Sequence, residues 1–479
     1  MATPVSQPDL LDLRGVPADE FLSIERHALD PIPLSDRHTP AVGLFPLWAA
    51  SQASFDSIVT GALLLSAGLG IWDAALAILI GGVLAALVLG ALSVLGPRTG
   101  TTQVVASRAV FGVDGARIGA AFTLFLGIGW FAVDSVIATQ ALVALAGKGG
   151  IADTRPLEAI LLGVVVIASM LVAVYGHQTI SVFERFGAPV FVVFALVVFA
   201  LLVPKLHFDA GSTLHGGDHV GQWVLGVSVI FALIASWWSF ASDYSRYVPP
   251  QASTRTVILS AGGGIALTTC LLGFLGVCML TLDPQRNSNN LQAAILDALP
   301  GAVGVPFLLY VALGEIWSNY FDVYTAGLSA LAAGLRLSRW GAALVCGLIG
   351  GVLAYVALFY SDFATQYTNF LLLTYLWAPG WAAVVLADYF VRHHTPRPDE
   401  MLPQRRYRLG GGFKVNALVA WLIGTIAAIP FVNSPMWTSP LSRHVLHQAD
   451  ISGVVAFIVA GIVYLVLRSP GRRAVPAAA

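Results

Sequence analysis

Residues 73–95, DAALAILIGGVLAALVLGALSVL, decide the fold class of this 479-residue chain. After Asp73 the stretch carries no charge, and about 20 apolar residues suffice for a helix to cross a bilayer. The rest of the chain is similar, because 57% of it is hydrophobic and only 11% is charged, against about 25% charged residues in soluble domains. These values exclude a disordered protein, a coiled coil and a soluble enzyme. They predict an all-α integral membrane protein.

Twelve apolar segments of this kind follow one another along the chain. They are 41–70, 73–95, 116–147, 157–174, 180–203, 220–248, 254–282, 303–334, 340–361, 366–391, 413–432 and 451–468. We therefore expect one transmembrane domain, 41–468, between tails 1–40 and 469–479. The connections are too short for a soluble catalytic domain, and no nucleophile or metal set faces one interface, so the sequence does not favour an enzyme.

Lysine and arginine positions predict the orientation, because they concentrate in cytoplasmic loops. With the N-terminus inside, 20 of the 25 lysines and arginines fall in inner segments. Both tails are then cytosolic, in a plasma or inner membrane with lipids as neighbours. The net charge of −1 predicts no nucleic-acid partner. The cysteines and histidines lack the spacing of a metal site, so we expect no cofactor, and His393 and His394 are interpreted as a solvated loop.

Ionisable residues inside the predicted spans mark candidate functional positions, because each costs at least about 2.5–3.5 kcal/mol to place in a bilayer. Those away from the span ends are Asp56, Asp134, Glu315 and Asp322. Trp130 and Asp134 are four residues apart, and Glu315, Asn319 and Asp322 are spaced i, i+4 and i+7. Each set therefore shares one helix face. A channel would need a continuous polar pore, whereas these charges cluster at mid-span.

The first and sixth spans contain polar interruptions, SQASFDS at 51–57 and SWWSFASDYSRY at 236–247. Discontinuous helices in corresponding halves of a membrane protein point to a transporter binding site. Spans 41–203 and 220–391 would then be two inverted repeats, with 413–468 appended. The sequence contains no plain repeat that proves this, and SQASFDS lacks the glycines of an unwound helix that binds amino-acid carboxylates.

Four ordered stretches carry a family resemblance: GPRTGTTQVVASRAVFG (96–112), GWFAVDSVIATQAL (129–142), SWWSFASDYSRYVP (236–249) and FLLLTYLWAPGWAAVVLADYFVR (370–392). They resemble the nucleobase–cation symporter family, in its purine–cytosine permease branch. The resemblance covers roughly residues 20–470. It implies a LeuT-like fold of five plus five helices in inverted repeats with two more at the C-terminus. It also implies import of a purine, a cytosine-type base or a related heterocycle with H⁺ or Na⁺ by alternating access.

The resemblance also implies site residues. Trp130 matches a tryptophan that stacks on the base, Asp134 lies where fungal permeases commonly have Asn, and Trp237 matches a sixth-span aromatic residue. The polar contacts to the substrate fall on first-span and eighth-span positions, namely Gln52, Ser57, and Asn319 or Asp322.

The acidic residues depart from the family pattern. Asp56, Asp134 and Asp322 add acceptors around one cavity, and ionised carboxylates cannot donate hydrogen bonds. They favour, as an alternative substrate, a cationic vitamin or precursor heterocycle of thiamine or pyridoxine type. The other interpretation is that these carboxyl groups are partly protonated, because desolvation and mutual repulsion disfavour the charged form. The sequence leaves open which heterocycle is carried. It also leaves open the oligomeric state, and a monomer is compatible with the features described.

The coupling ion is predicted from the eighth span. By resemblance, sodium-dependent members place side-chain oxygens where this chain has Glu315, Ser318 and Asn319, so a Na⁺ site at Glu315 and Ser318 is one interpretation. Intramembrane carboxyl groups are also typical proton carriers, and we favour H⁺ at Glu315. The remaining alternative is a structural hydrogen bond from Glu315 to a neighbouring broken helix.

Overall fold

The computed structural model describes residues 31–172, 177–396, 398–401 and 412–467. Most of the predicted N-terminal tail and all of the C-terminal tail lie outside these residues. Fifteen helices form the body of the described part. They are α1 Leu44–Ser51, α2 Phe55–Ser66, α3 Ile71–Ser93, α4 Ala116–Lys148, α5 Arg155–Val172, α6 His177–Leu202, α7 Gly216–Ala235, α8 Ala241–Ser245, α9 Thr254–Met279, α10 Leu291–Ala298, α11 Gly301–Ala332, α12 Arg339–Phe359, α13 Phe363–Leu386, α14 Val415–Ala428 and α15 Ser452–Val466.

Each predicted span coincides with one of these helices or with a broken pair. Within the described residues, seven helices are long and apolar enough to cross a membrane, and five shorter apolar helices have 10–17 residues. The first span is broken between α1 and α2. The sixth span is broken between α7 and α8, where a 3-10 turn covers Trp238–Phe240. Both predicted interruptions are therefore present.

The first five spans and the next five make corresponding helix contacts. The second span, α3, packs along the seventh, α9, and the third, α4, packs along the eighth, α11. The broken first span packs on α9 as the broken sixth packs on α3, and α5 contacts α11 as α12 contacts α4. This pairing is what an inverted repeat produces. Helices α14 and α15 pack on each other, and both contact α13. The boundaries 41–203 and 220–391 stay a prediction.

Glycines bring α2 and α9 into backbone contact. A Cβ on Gly276 would overlap the carbonyl oxygen of Ile58, and a Cβ on Gly61 would overlap that of Gly273. Small residues permit such approach in a membrane, where packing rather than water exclusion holds helices together. The second half of the broken first span is thus held tightly against α9.

Valine in place of Gly276 is expected to destabilise the protein by about 1–3 kcal/mol, because its side chain has no space against Ile58. Thermal unfolding of the purified protein in detergent measures the effect as a lower midpoint. Gly163→Val on α5 is the matched control, since a Cβ there meets no atom within 4 Å. Equal midpoints for the two variants would show that the α2–α9 contact is not tight.

The interpretation of His393 and His394 as a solvated loop holds for the exposed His393, whereas His394 lies in the same loop but belongs to an ion cluster. The His394 ring donates from Nδ1 to Asp388, at 2.5 Å, and from Nε2 to Glu400, at 2.9 Å. Asp388 also accepts from the hydroxyl of Tyr464 at 2.6 Å, and Lys414 lies 3.6 Å from Glu400. The cluster joins the end of α13 to α15 and to the residues before α14. Sequence spacing missed it because six-residue separations outside a regular helix do not show which side chains meet, and Tyr464 is 76 residues from Asp388.

The cluster predicts a pH dependence of stability. The hydrogen bonds to Asp388 and then Glu400 raise the pKa of His394 to about 9, above its usual 6.5. The contribution of the protonated His394 ring to the free energy of unfolding is therefore fully present below about pH 6.5 and is lost as the pH rises through 9. We expect His394→Gln to lower the free energy of unfolding by about 1–2 kcal/mol near pH 6 and hardly at all near pH 10. At the higher pH the carboxylates keep Arg392, 3.6 Å from Asp388, and Lys414, 3.6 Å from Glu400. Thermal unfolding at both pH values measures this, with exposed His444→Gln as control. A loss of equal size at both values would contradict it.

Candidate central binding site

The break in the first span is closed by a carboxyl group from the eighth. After Ser51 the chain leaves the helix, and it re-enters at Phe55 with Ser54 extended. The first N–H groups of a helix lack intrahelical partners. Glu315 of α11 supplies one, because its Oε1 accepts from the Phe55 backbone N–H at 2.8 Å. The structural hydrogen bond considered from the sequence is therefore present.

Four carboxyl groups from three helices surround this break. Asp134 on α4 interacts with the side chains of Ser318, Asp322 and Glu315. Asp56, at the start of α2, accepts from the Ser54 hydroxyl and acts electrostatically on the other three. All four are at most 6% exposed. None of them forms an ion pair with a lysine, arginine or histidine of the described residues.

Each carboxyl group of the two long helices keeps an oxygen free. Asp134 Oδ1, Glu315 Oε2 and Asp322 Oδ2 are buried without a hydrogen-bond partner among the described residues. An unsatisfied buried acceptor costs about 1–3 kcal/mol, and more when it is charged. Carboxyl groups this close need bound protons or a cation between them. The arrangement is therefore suited to hold a proton or a cationic ligand. Among the described residues, no group of three or more His, Cys, Asp and Glu has a metal-binding arrangement.

A cavity of about 60 Å³ lies beside the break. Its wall is formed by residues of the first-span break, of α6 and of α11, together with Trp237 at the sixth-span break. The polar side chains in this wall include those of Ser54, Glu315 and Ser318. Asp134 stands behind this wall, because it hydrogen-bonds to Ser318. The cavity thus combines an aromatic face, a helix break and access to the carboxyl cluster.

Trp237 forms the aromatic face of this cavity. Its ring lies 5.4 Å from that of Phe321, tilted by 31°, and 6.1 Å edge-on from that of Trp48. Its buried Nε1 has no hydrogen-bond partner in the described part of the chain. Packed aromatic neighbours fix the plane of the indole, and a fixed plane is what stacking on a flat ligand requires.

Trp130 lies outside the lining of this cavity. Its ring meets Tyr367 and Phe370 of α13 edge-on, with centroids 5.8 and 5.4 Å apart. Only 5% of the residue is exposed. The face of its indole is directed by these two rings, so α13 sets how Trp130 meets any ligand. Its stacking role stays a prediction.

The remaining predicted residues hold helices together. Asn319 donates from Nδ2 to Ser135 at 2.9 Å and to Ser169 at 3.2 Å, which links α11 to α4 and α5. Gln52 accepts from Thr269 of α9 at 3.0 Å. Ser57 donates to the Gln52 carbonyl at 3.0 Å. None of these three lines the cavity, and their roles towards substrate or ion stay predictions.

Two aromatic residues at this site escaped the sequence analysis. Trp48 precedes the polar interruption and packs on Trp237. Tyr367 is 1% exposed, and its hydroxyl is 2.7 Å from that of Thr60 on α2. A buried tyrosine hydroxyl within an apolar span is a signal that the sequence offered, because it needs a partner in the membrane.

Comparison with known proteins agrees with this architecture. Residues 31–460 match the family described as permease for cytosine/purines, uracil, thiamine, allantoin. The chain belongs to this family. The predicted resemblance is therefore confirmed at the level of the nucleobase–cation symporters.

Similar permeases have been named in bacteria and fungi. The putative purine-cytosine permease YxlA of Bacillus subtilis is 26% identical over 94% of this chain and 97% of its own length. The purine-cytosine permease fcyB of Emericella nidulans is 26% identical over 93% of this chain and 89% of its own. Such relatives are transporters, which agrees with a multi-pass membrane protein.

The structure of Mhp1 has the same fold. Its inward-facing form gives a TM-score of 0.74 at 17% identity, over 94% of each chain. Its closed form with bromovinylhydantoin bound gives 0.71 at 17% identity, over 93% of this chain and 95% of that one. The predicted LeuT-like, all-helical fold is confirmed.

Proposed function

We propose that this permease is a secondary active symporter that imports a nucleobase, of purine or cytosine type, together with a proton. The observation that carries the proposal is the combination of Trp237 and Glu315 in the wall of one cavity at the break of the first span. An aromatic face suits a flat heterocycle. A buried carboxyl group on a helix break suits an ion that changes the conformation.

In this proposal, stacking contributes binding free energy to any flat heterocycle, and polar contacts determine which heterocycle is preferred. Offset stacking on an indole is worth about 0.5–1.5 kcal/mol beyond the buried area. Unpaired polar groups then discriminate among bases, at about 1–3 kcal/mol for each lost partner. We assign the stacking to Trp237 and Trp130 and the polar selection to Asp134, Asp322 and Ser318.

Proton coupling follows from the bond between Glu315 and Phe55. An ionised Glu315 accepts strongly from the Phe55 N–H at the start of α2, which has no partner within its own helix, because hydrogen bonds to charged acceptors are the stronger ones. A proton on Glu315 weakens that bond and frees α2 to move relative to α11. An ion shifts a conformational equilibrium only by its different affinity for the two states. The break supplies such a difference.

A cationic heterocycle is the second candidate substrate. Its support is the excess of buried carboxyl groups, four within one cluster that has no basic ion-pair partner among the described residues. A ligand cation would satisfy the free oxygens of Asp134 and Asp322 directly. A neutral base would instead leave those oxygens to bound protons.

We assign the protein to the plasma or inner membrane with both termini cytoplasmic. The support is the excess of arginine and lysine in the predicted inner segments.

Competition of uptake tests the substrate class. Cells lacking their own base permeases are offered labelled cytosine or adenine with unlabelled purines, pyrimidines and cationic heterocycles in excess. We expect saturable uptake that one group of neutral bases competes and that a protonophore abolishes. Absence of uptake of both bases by well-expressed protein would reject the nucleobase assignment, and competition by cationic heterocycles alone would select the second candidate.

A further inference from the structure

A second polar cavity, of about 620 Å³, lies between the C-terminal end of α4, the start of α5, α10 and the connection from α12 to α13. We call it the peripheral cavity. It shares no lining residue with the cavity beside the first-span break. In the proposed orientation it opens to the outside. The proposed transport cycle does not involve this cavity.

Two carboxamides meet in the lining of the peripheral cavity. Gln292 of α10 donates from Nε2 to Gln140 Oε1 of α4 at 3.1 Å. Gln292 is 2% exposed, and its Oε1 is buried with no partner among the described residues. A carboxamide has two N–H donors and an oxygen acceptor. The pair therefore leaves the buried Gln292 Oε1 and the N–H donors of Gln140 without partners among the described residues.

The lining restricts the charge of a ligand. Asp153, Glu158, Asp297 and Asp362 line the cavity against the single Lys148, which lies 3.6 Å from Asp297. Anions are repelled by this excess of carboxylates, whereas neutral and cationic molecules are admitted.

We propose that the peripheral cavity binds a neutral or cationic heterocycle through an amide edge, as a second site in addition to the central one. The ring N–H donates to Gln292 Oε1, and the adjacent carbonyl accepts from Gln140 Nε2. Phe363, buried in the same lining, provides an apolar surface for the ring. The ligand class rests on the proposed function, but the site is formed by different residues.

Equilibrium binding to the purified full chain tests the proposal. Labelled uracil and hypoxanthine, both with an amide edge, are the probes. Binding is measured in Trp237→Ala, where the central site is weakened, and in the same protein carrying Gln292→Leu. We expect the first variant to retain one site, and the second to bind at least about tenfold more weakly, since a buried amide pairing is lost.

The controls separate the possible failures. Trp237→Ala with Gln285→Leu, an exposed glutamine outside the lining, should bind as Trp237→Ala does. Gln140→Leu is the second test variant, and an unchanged unfolding midpoint shows that each variant is folded. The peripheral site is overturned if Trp237→Ala binds neither probe, or if both glutamine variants bind as tightly as Trp237→Ala. Failure of the proposed function is recognised by a different result, namely that the wild-type protein transports no heterocycle in cells.

Discussion

Alanine in place of Trp237 is expected to weaken heterocycle binding by about 30- to 150-fold. The indole lines the central cavity, and its removal forfeits both stacking and buried apolar contact, together about 2–3 kcal/mol. Because Trp237 packs edge-on against Trp48 and tilted over Phe321, its loss also frees the neighbouring rings to fill the space. Equilibrium binding of the transported heterocycle to purified protein, with Gln292→Leu present throughout to weaken the peripheral cavity, measures the change at the central site.

Trp340→Ala is the matched control for this prediction. Trp340 is 61% exposed, so the same substitution there removes an indole without touching the cavity. An unchanged unfolding midpoint in Trp237→Ala shows that any loss belongs to the site. Wild-type affinity in a folded Trp237→Ala protein would reject stacking on this residue.

Glutamine in place of Glu315 is expected to abolish concentrative uptake while exchange of substrate across the membrane continues. The amide has the shape of the carboxyl group, and its oxygen can still accept from the Phe55 N–H that Glu315 Oε1 meets at 2.8 Å. It cannot bind a proton, so the gradient no longer biases the conformational equilibrium. Accumulation should fall at least about tenfold, measured as uptake and as counterflow in proteoliposomes.

The control for Glu315→Gln is Asp209→Asn, which removes an exposed carboxyl group. It should leave accumulation and its pH dependence unchanged. If Glu315→Gln also accumulates substrate with the pH dependence of the wild type, Glu315 has only its structural bond to α2, and the proton must bind elsewhere.

Helix positions were predictable because hydropathy and length are local properties of the sequence. The interruption at 51–57 was predictable for the same reason, since polar residues in an apolar span cannot continue a lipid-facing helix without cost. The spacing of Glu315 and Asp322 also placed them correctly on one face of α11. These features depend on single helices.

Partners across helices were not predictable, because periodicity shows the face of a residue but not what that face meets. Asn319 shares the face of Glu315, yet its amide is bound by Ser135 and Ser169 of two other helices. His394 follows a basic tract, yet two carboxylates bind its ring. The Asn319 contacts arise from packing between helices, and those of His394 arise from the local fold that follows α13, in which each carboxylate is six residues from the ring.

Uptake into proteoliposomes under imposed gradients tests the central claim most directly. The purified protein is supplied with the heterocycle identified by competition, and an inward proton gradient or an inward sodium gradient is imposed in turn. The account predicts accumulation above the external concentration with the proton gradient alone, and its loss with a protonophore. Accumulation that requires sodium and is insensitive to the protonophore, or mere equilibration under both gradients, would contradict proton-coupled symport.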